Sequence, residues 1–252
     1  MSCSWRSRLL AGGIHLAISL SVAMVMAALI LGVWYPFPYY SISGGLQLFG
    51  MVAGIDAIVG PLLTLVVFNR AKPRTELLRD MAVITALQIS ALAYGMHTVF
   101  EARPIGLVFE VDRFRAITAN EVLRQELPLA PPDLRQLPLW GPRIVATRQP
   151  SPEEKPRAFE LALSGYDLGQ RPSFWVPYEA SKQQALARSR PIDDLIKHYP
   201  NDASAIQAEL AELRVPTSDL RFLPLQARRG NWVVVLNQQG ALVGFLGRDG
   251  FF

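Results

Sequence analysis

Apolar residues fall in three long blocks within the first hundred positions and in short periodic runs after that. The blocks run from about Ala11 to Trp34, Leu46 to Phe68 and Met81 to Phe100. Each meets the roughly 20 apolar residues that a helix needs to cross a hydrocarbon core. Between Arg8 and Asp56 lie 47 positions with no Asp, Glu, Lys or Arg. The first block is too long for a cleavable signal, whose apolar region spans ~7–15 residues. Trp34-Tyr35-Pro36 follows it where a small-residue cleavage site would stand. It reads as an uncleaved signal anchor.

After position 100 the pattern shortens. Val108, Glu110 and Asp112 alternate with Phe109 and Val111, which predicts a strand leaving the membrane with Asp112-Arg113 at its end. Residues 119–127 read as a short helix with Asn120 as its N-cap. Pro128–Pro156 holds eight prolines and reads as an extended or irregular connector, turning at Trp140-Gly141-Pro142. Pro177–Arg190 is rich in helix formers. Pro191–Tyr199 sets Ile192, Leu195, Ile196 and Tyr199 on one helical face, and Asp202–Leu213 is a further amphipathic helix. Strands follow at Arg221–Ala227, Asn231–Leu236 and Gly240–Leu246, with a hairpin turn at Asn237-Gln238-Gln239-Gly240. Phe251-Phe252 is either an exposed apolar end or a plug against the sheet. The expected fold is a membrane protein with three N-terminal transmembrane helices over residues 1–100. A C-terminal α+β soluble domain over 101–252 would carry the proline-rich connector 128–156.

Composition sharpens this division. Of 252 residues, 50% are hydrophobic and 18% charged, which excludes a disordered chain or a nucleic-acid-binding tail. The net charge is +4, yet residues 101–252 hold 19 basic and 18 acidic side chains. The excess sits beside the apolar blocks, so no nucleic-acid partner is expected. Arg6 and Arg8 precede the first span, and Arg70, Lys72, Arg74 and Arg79 lie between the second and third. The loop Tyr35–Gly45 carries no charge. By the positive-inside rule the N-terminus is cytoplasmic and residues 101–252 lie on the opposite side, the periplasm in a bacterium. Cys3, the lone cysteine, falls on the cytoplasmic side, so the soluble domain holds together by packing alone.

Asp56 is the most informative residue of the spans. It stands near the middle of the second, where an acid costs roughly 2.5–3.5 kcal/mol and must face protein or water. Gly54, Gly60 and Pro61 flank it, and Pro61 frees a carbonyl that Asp56 or Thr64 could help satisfy. Two readings stand side by side: a polar handle that docks another transmembrane helix, or a hydrogen bond to the protein's own first or third span. His15 and His97, ~6 Å and ~24 Å from the cytoplasmic edge, read as interfacial polar residues. No second acid lies in a span, so paired-carboxylate catalysis is not expected. Trp34 and Tyr35 read as an aromatic belt at the headgroups, or as a rigid docking rim. The soluble part has one histidine, His198, and no P-loop, G-x-S-x-G or H-E-x-x-H pattern. No enzyme activity, metal or cofactor is expected. Asp193-Asp194 reads as a solvated helix start and Arg228-Arg229-Gly230 as a turn between strands.

Several of these motifs together resemble the type IV pilin accessory proteins of the TfpX/TfpZ type. They are Trp34-Tyr35-Pro36, Asp56 with Gly60-Pro61-Leu62-Leu63-Thr64, Ala93-Tyr94-Gly95, and Ala102-Arg103-Pro104 followed by Asp112-Arg113-Phe114. Ala187-Arg188, Arg190-Pro191 and Phe222-Leu223-Pro224-Leu225 extend the likeness across nearly the whole chain. Phe37, between the loop prolines, departs from it. The resemblance implies an inner-membrane, chaperone-like accessory protein without catalysis. Its implied partners are a type IV pilin, the major pilin foremost, the pilus assembly machinery and the lipid bilayer. Partner-binding residues would be Asp56, Gly54, Gly60, Pro61, Thr64, Trp34 and Tyr35, with the strand Asn231–Leu236 as an outer edge for the pilin head. The alternative is a non-catalytic membrane sensor or a transporter subunit using Asp56.

Overall fold

A computed structural model describes residues 2–252, the side chains of residues 2–4 and 46 excepted, so the Cys3 side chain lies outside the described set. The chain forms two units: one of residues 1–40 and 44–102, the other of residues 41–43 and 103–252.

Three long helices make the first unit. Helix α1 runs from Ser2 to Leu29, uncharged after Arg8, and continues as a π-helical turn over Ile30–Trp34. A short α2, Tyr39–Ile42, precedes α3, Gly45–Val67, whose entry is set by Gly44 in the left-handed region at φ +76°. Helix α4, Arg74–Glu101, starts after Pro73, with Glu76 in its first turn. Lys72 pairs with Glu76 at 3.3 Å and Asp80 at 2.8 Å. All three helices are long and apolar enough to cross a membrane. Helix α3 packs against both α1 and α4. Close approach rests on small residues. A Cβ at Gly12 would meet Leu65 Cγ at 2.9 Å, and one at Gly95 would meet Val52 Cγ1 at 2.4 Å.

The second unit is built on one curled sheet. Its first hairpin is β1, Pro104–Glu110, with β2, Arg113–Thr118, joined through Val111 at φ +47°. Strand β3, Arg143–Thr147, α5, Lys155–Leu163, and β4, Trp175–Pro177, follow. Next come α6, Lys182–Arg188, β5, Arg190–Pro191, α7, Ile192–His198, and α8, Ala203–Ala211. Three strands close the fold: β6, Arg221–Ala227, β7, Gly230–Leu236, and β8, Leu242–Leu246. The order across the sheet is β4-β3-β1-β2-β6-β7-β8, with β5 paired to β6. The β1–β3 and β2–β6 pairs are parallel and the others antiparallel. Edge strands β4 and β8 line one pocket of about 420 Å³, and the Tyr178 hydroxyl beside it donates to Gly240 O at 2.7 Å. The sheet is thus a half-barrel. One core of the unit joins α7 and α8 to β6 and β7 through Leu195, Ile206, Leu210, Phe222 and Val235. Each such side chain contributes roughly 1.5–3 kcal/mol by leaving water.

Several expectations need correction. The proline-rich stretch is not all connector: Arg143–Thr147 is an interior strand between β1 and β4. No proline falls inside it, and Ile144-Val145 favours extended backbone. Residues 119–127 hold no α-helix. A 3₁₀ turn begins at Arg124, and Asn120 Oδ1 accepts from the Thr118 hydroxyl at 2.7 Å. Strand β1 does not alternate in exposure; all seven residues are buried because both faces of the sheet are covered there. Strand β7 is not an edge, since β6 and β8 flank it, so it has no free ladder for an added strand. Phe252 stays partly exposed, yet one face of its ring stacks on His198 at 3.7 Å and the Arg190 guanidinium lies over the ring.

One glycine of this unit is sterically required. The Gly169 N–H donates to the buried Glu110 carboxylate at 2.6 Å, and a Cβ there would lie 2.0 Å from Glu110 Oε1. Gly169→Ala should cost about 1–3 kcal/mol in denaturant unfolding, as overpacked cores do. Wild-type stability in that variant would show that Glu110 moves aside freely.

Candidate functional site

Asp56, Gly60 and Thr64 recur every fourth residue, so α3 presents them as one stripe. Polar side chains from both neighbouring helices meet that stripe. His15 of α1 places Nδ1 2.5 Å from Thr64 Oγ1 and Nε2 2.5 Å from Gln88 Oε1 of α4. Gln88 Nε2 donates to Asp56 Oδ1 at 3.3 Å and to Asp56 O at 3.5 Å. An amide oxygen only accepts, so the neutral Nε2–H tautomer of His15 satisfies both of its bonds, donating to Gln88 and accepting from Thr64. Gly60 makes the room: a Cβ there would stand 1.9 Å from Gln88 Nε2 and 3.0 Å from His15 Nε2.

This chain of bonds floors a groove of about 610 Å³ between α1 and α4. Leu10, Ile14 and Ile18 form one wall, and Ile89 and Leu92 the other. Ser7 and Arg70 line it as well. The groove is therefore an apolar trough with one carboxylate, one imidazole and one amide on its floor. Such a site suits a hydrophobic segment that brings a hydrogen-bonding group of its own. Among the described residues no cluster of three or more His, Cys, Asp or Glu could hold a metal.

The other sequence-selected residues are distributed differently. Pro61 is buried, with its carbonyl facing the Gly12 position at 3.5 Å. Nothing lies within 4 Å of a Cβ at Gly54, so Gly54 makes no close helix contact. Trp34 and Tyr35 are not brought to Asp56. Tyr35 is fully buried and its hydroxyl donates to Val99 O at 2.9 Å, so it is neither belt nor rim but an internal clamp between helices. Trp34 packs edge-on against Phe100 at 5.0 Å. His97 is exposed. His15 is not merely interfacial, and Gln88 joined the site without any warning from an isolated reading of span three. A mid-span glutamine is costly enough in hydrocarbon to have signalled a partner.

Comparison with known proteins bears on the same chain. Over 229 residues, 90% of this chain and 89% of the relative, it is 36% identical to the fimbrial assembly protein, serogroup I, of Dichelobacter nodosus. The chain belongs to the fimbrial assembly protein family. The serogroup E1 protein of that organism matches at the same identity and coverage, 36% over 229 residues. The protein of serogroups C1 and C2 is 45% identical over 118 residues, 47% of this chain and 90% of the relative. The family profile described as fimbrial assembly protein FimB matches residues 3–44, which cover α1 and the loop after it. No solved structure matches this fimbrial assembly family member.

Proposed function

We propose that this protein is a non-catalytic, chaperone-like factor of fimbrial biogenesis that holds a type IV pilin by the pilin's transmembrane helix before assembly. The groove between α1 and α4 carries this reading, because it is open along an apolar trough and offers hydrogen bonds at its floor. Family membership supports the fimbrial half of the proposal. A single carboxylate without a second acid on the groove floor suits binding rather than hydrolysis. The cations of the short loops support an inner-membrane location with the N-terminus cytoplasmic and the C-terminal domain periplasmic. Delivery to the pilus assembly machinery would follow release of the helix.

The test is photocrosslinking in cells. Probes at Ile18, on the groove wall, and at Tyr94, which is 75% exposed on α4 and does not line the groove, separate the two surfaces. Pilin should be captured from position 18 and not from 94. Asp56→Lys should cut capture ~10-fold or more, given the cost of a lysine at mid-span. Equal capture from both probes, or capture unchanged by Asp56→Lys at normal protein levels, would sink the reading.

A further inference from the structure

We propose that the end of the soluble domain at which the chain enters it is a lipid-docking rim. Leu139 and Trp140 would insert at the bilayer interface while Arg143, Arg228 and Arg229 bind headgroup phosphates of the leaflet by which α4 exits. This inference is independent of the pilin-binding reading.

Strand polarity decides which loops share that end. Strand β1 begins at Pro104, two residues after Ala102 caps α4. Strand β3 runs parallel to β1, with Arg143 opposite Gly106, so the turn 139–142 just before β3 lies where β1 starts. Strand β2 returns to the same end, Thr118 facing Pro104. Strand β6 is parallel to β2, with Leu225 opposite Phe114, and therefore delivers Arg228 and Arg229 to the level of Thr118. A side chain agrees. Buried Arg103 donates Nε and Nη2 to Pro138 O at 3.3 and 3.2 Å, holding the 139–142 turn beside the chain's entry.

The side chains at this end fit a lipid interface. Leu139 is 57% and Trp140 77% exposed. Arg143, Arg228 and Arg229 are exposed, and among the described residues no carboxylate pairs with them. Arg143 Nη1 donates to Asp133 O at 2.7 Å, which leaves its charge uncompensated. Glu121 accepts the Thr118 N–H at 2.8 Å and Asp249 accepts from Asn231 at 3.1 Å, and neither forms an ion pair with these arginines. An indole prefers the headgroup level, and guanidinium groups bind phosphate through paired N–H donors. At the opposite end, the turn Asn237–Gly240 has neither charge nor aromatic ring.

The full chain in nanodiscs of mixed phosphatidylcholine and phosphatidylglycerol tests this, with headgroup-spin-labelled lipid as quencher. An environment-sensitive fluorophore is placed by Leu139→Cys, or by Gln238→Cys at the far turn, in a Cys3→Ser background. The probe at 139 should lose about half its emission to the labelled lipid, and the probe at 238 almost none. Arg228→Glu with Arg229→Glu should roughly halve the quenching at 139 while the 238 signal stays the same. An unquenched probe at 139, or equal quenching at both positions, would overturn the rim. Undiminished quenching after both charge reversals would overturn the phosphate contact.

Discussion

Arg171→Met should destabilise the soluble domain by about 3–5 kcal/mol. Glu126 and Arg171 are 6% and 4% exposed, so the pair is almost dry. The guanidinium donates Nε and Nη2 to Glu126 Oε1 at 3.1 and 2.7 Å. Ser173 supplies the other carboxylate oxygen through its hydroxyl at 2.5 Å and its N–H at 3.4 Å. The guanidinium also lies over the Phe174 ring at 4.6 Å. Methionine fills the space and removes the charge, which strands a carboxylate in the interior. Adding Glu126→Leu should recover most of the loss, because an apolar pair of similar volume replaces both charges. Denaturant unfolding followed by near-ultraviolet circular dichroism measures both steps. A single variant as stable as wild type would mean that water reaches Glu126.

The pH dependence separates the two proteins by sign. Burial pushes Glu126 up, but the bonds from Arg171 and Ser173 together outweigh it and hold the carboxyl below its usual range. An acid held below its unfolded value, about 4.3 for glutamate, adds stability that is complete above that value. That stability is lost as pH falls through the folded value. In Arg171→Met the carboxyl has burial without its cation, so stability should instead rise on acidification. Glu110 already behaves that way in the wild type: burial raises it against the opposing pull of Arg115 and Gly169, so its contribution grows as pH falls.

Tyr35→Ala should cost the helical unit about 3–5 kcal/mol, the penalty for emptying a large aromatic site. The ring is fully buried with Ile30 and Val99, against Trp34, Leu48, Phe49 and Met96. It occupies space that only Gly45 leaves open, since a Cβ there would fall 2.1 Å from Tyr35 Cε1. Tyr35→Phe keeps the ring and loses only the bond to Val99 O, for which about 1 kcal/mol is expected in a membrane. Steric-trap unfolding in bicelles resolves the two. Equal losses would show that the hydroxyl, and not the packed ring, holds the helices together.

What was legible in the sequence was what a local rule dictates. A bilayer demands an apolar length, so the three spans stand out by inspection. The face of Ile192, Leu195, Ile196 and Tyr199 lies on a helix against the core, and the last three strands follow their turn signals. Pairing order was not legible, because it is set by residues far apart in the chain. Asn231–Leu236 has the composition of an edge or an interior strand alike, and only the arrival of β8 decides. Tyr35 belongs to a residue type that favours headgroups, and its burial depends on a glycine ten positions later. Asp56 pointed to a site, whereas His15 and Gln88 acquire meaning only when three helices converge.

That convergence has a consequence for synthesis. The chain enters the membrane span by span, and His15 can reach Thr64 as soon as two spans are in. Asp56 and the second nitrogen of His15 wait for Gln88, which arrives with the third. A copy halted after residue 73 therefore leaves Asp56 and one nitrogen of His15 without their partner Gln88, and an unmet polar group in hydrocarbon is costly. The residues that floor the groove therefore complete their pairing only when the third span arrives.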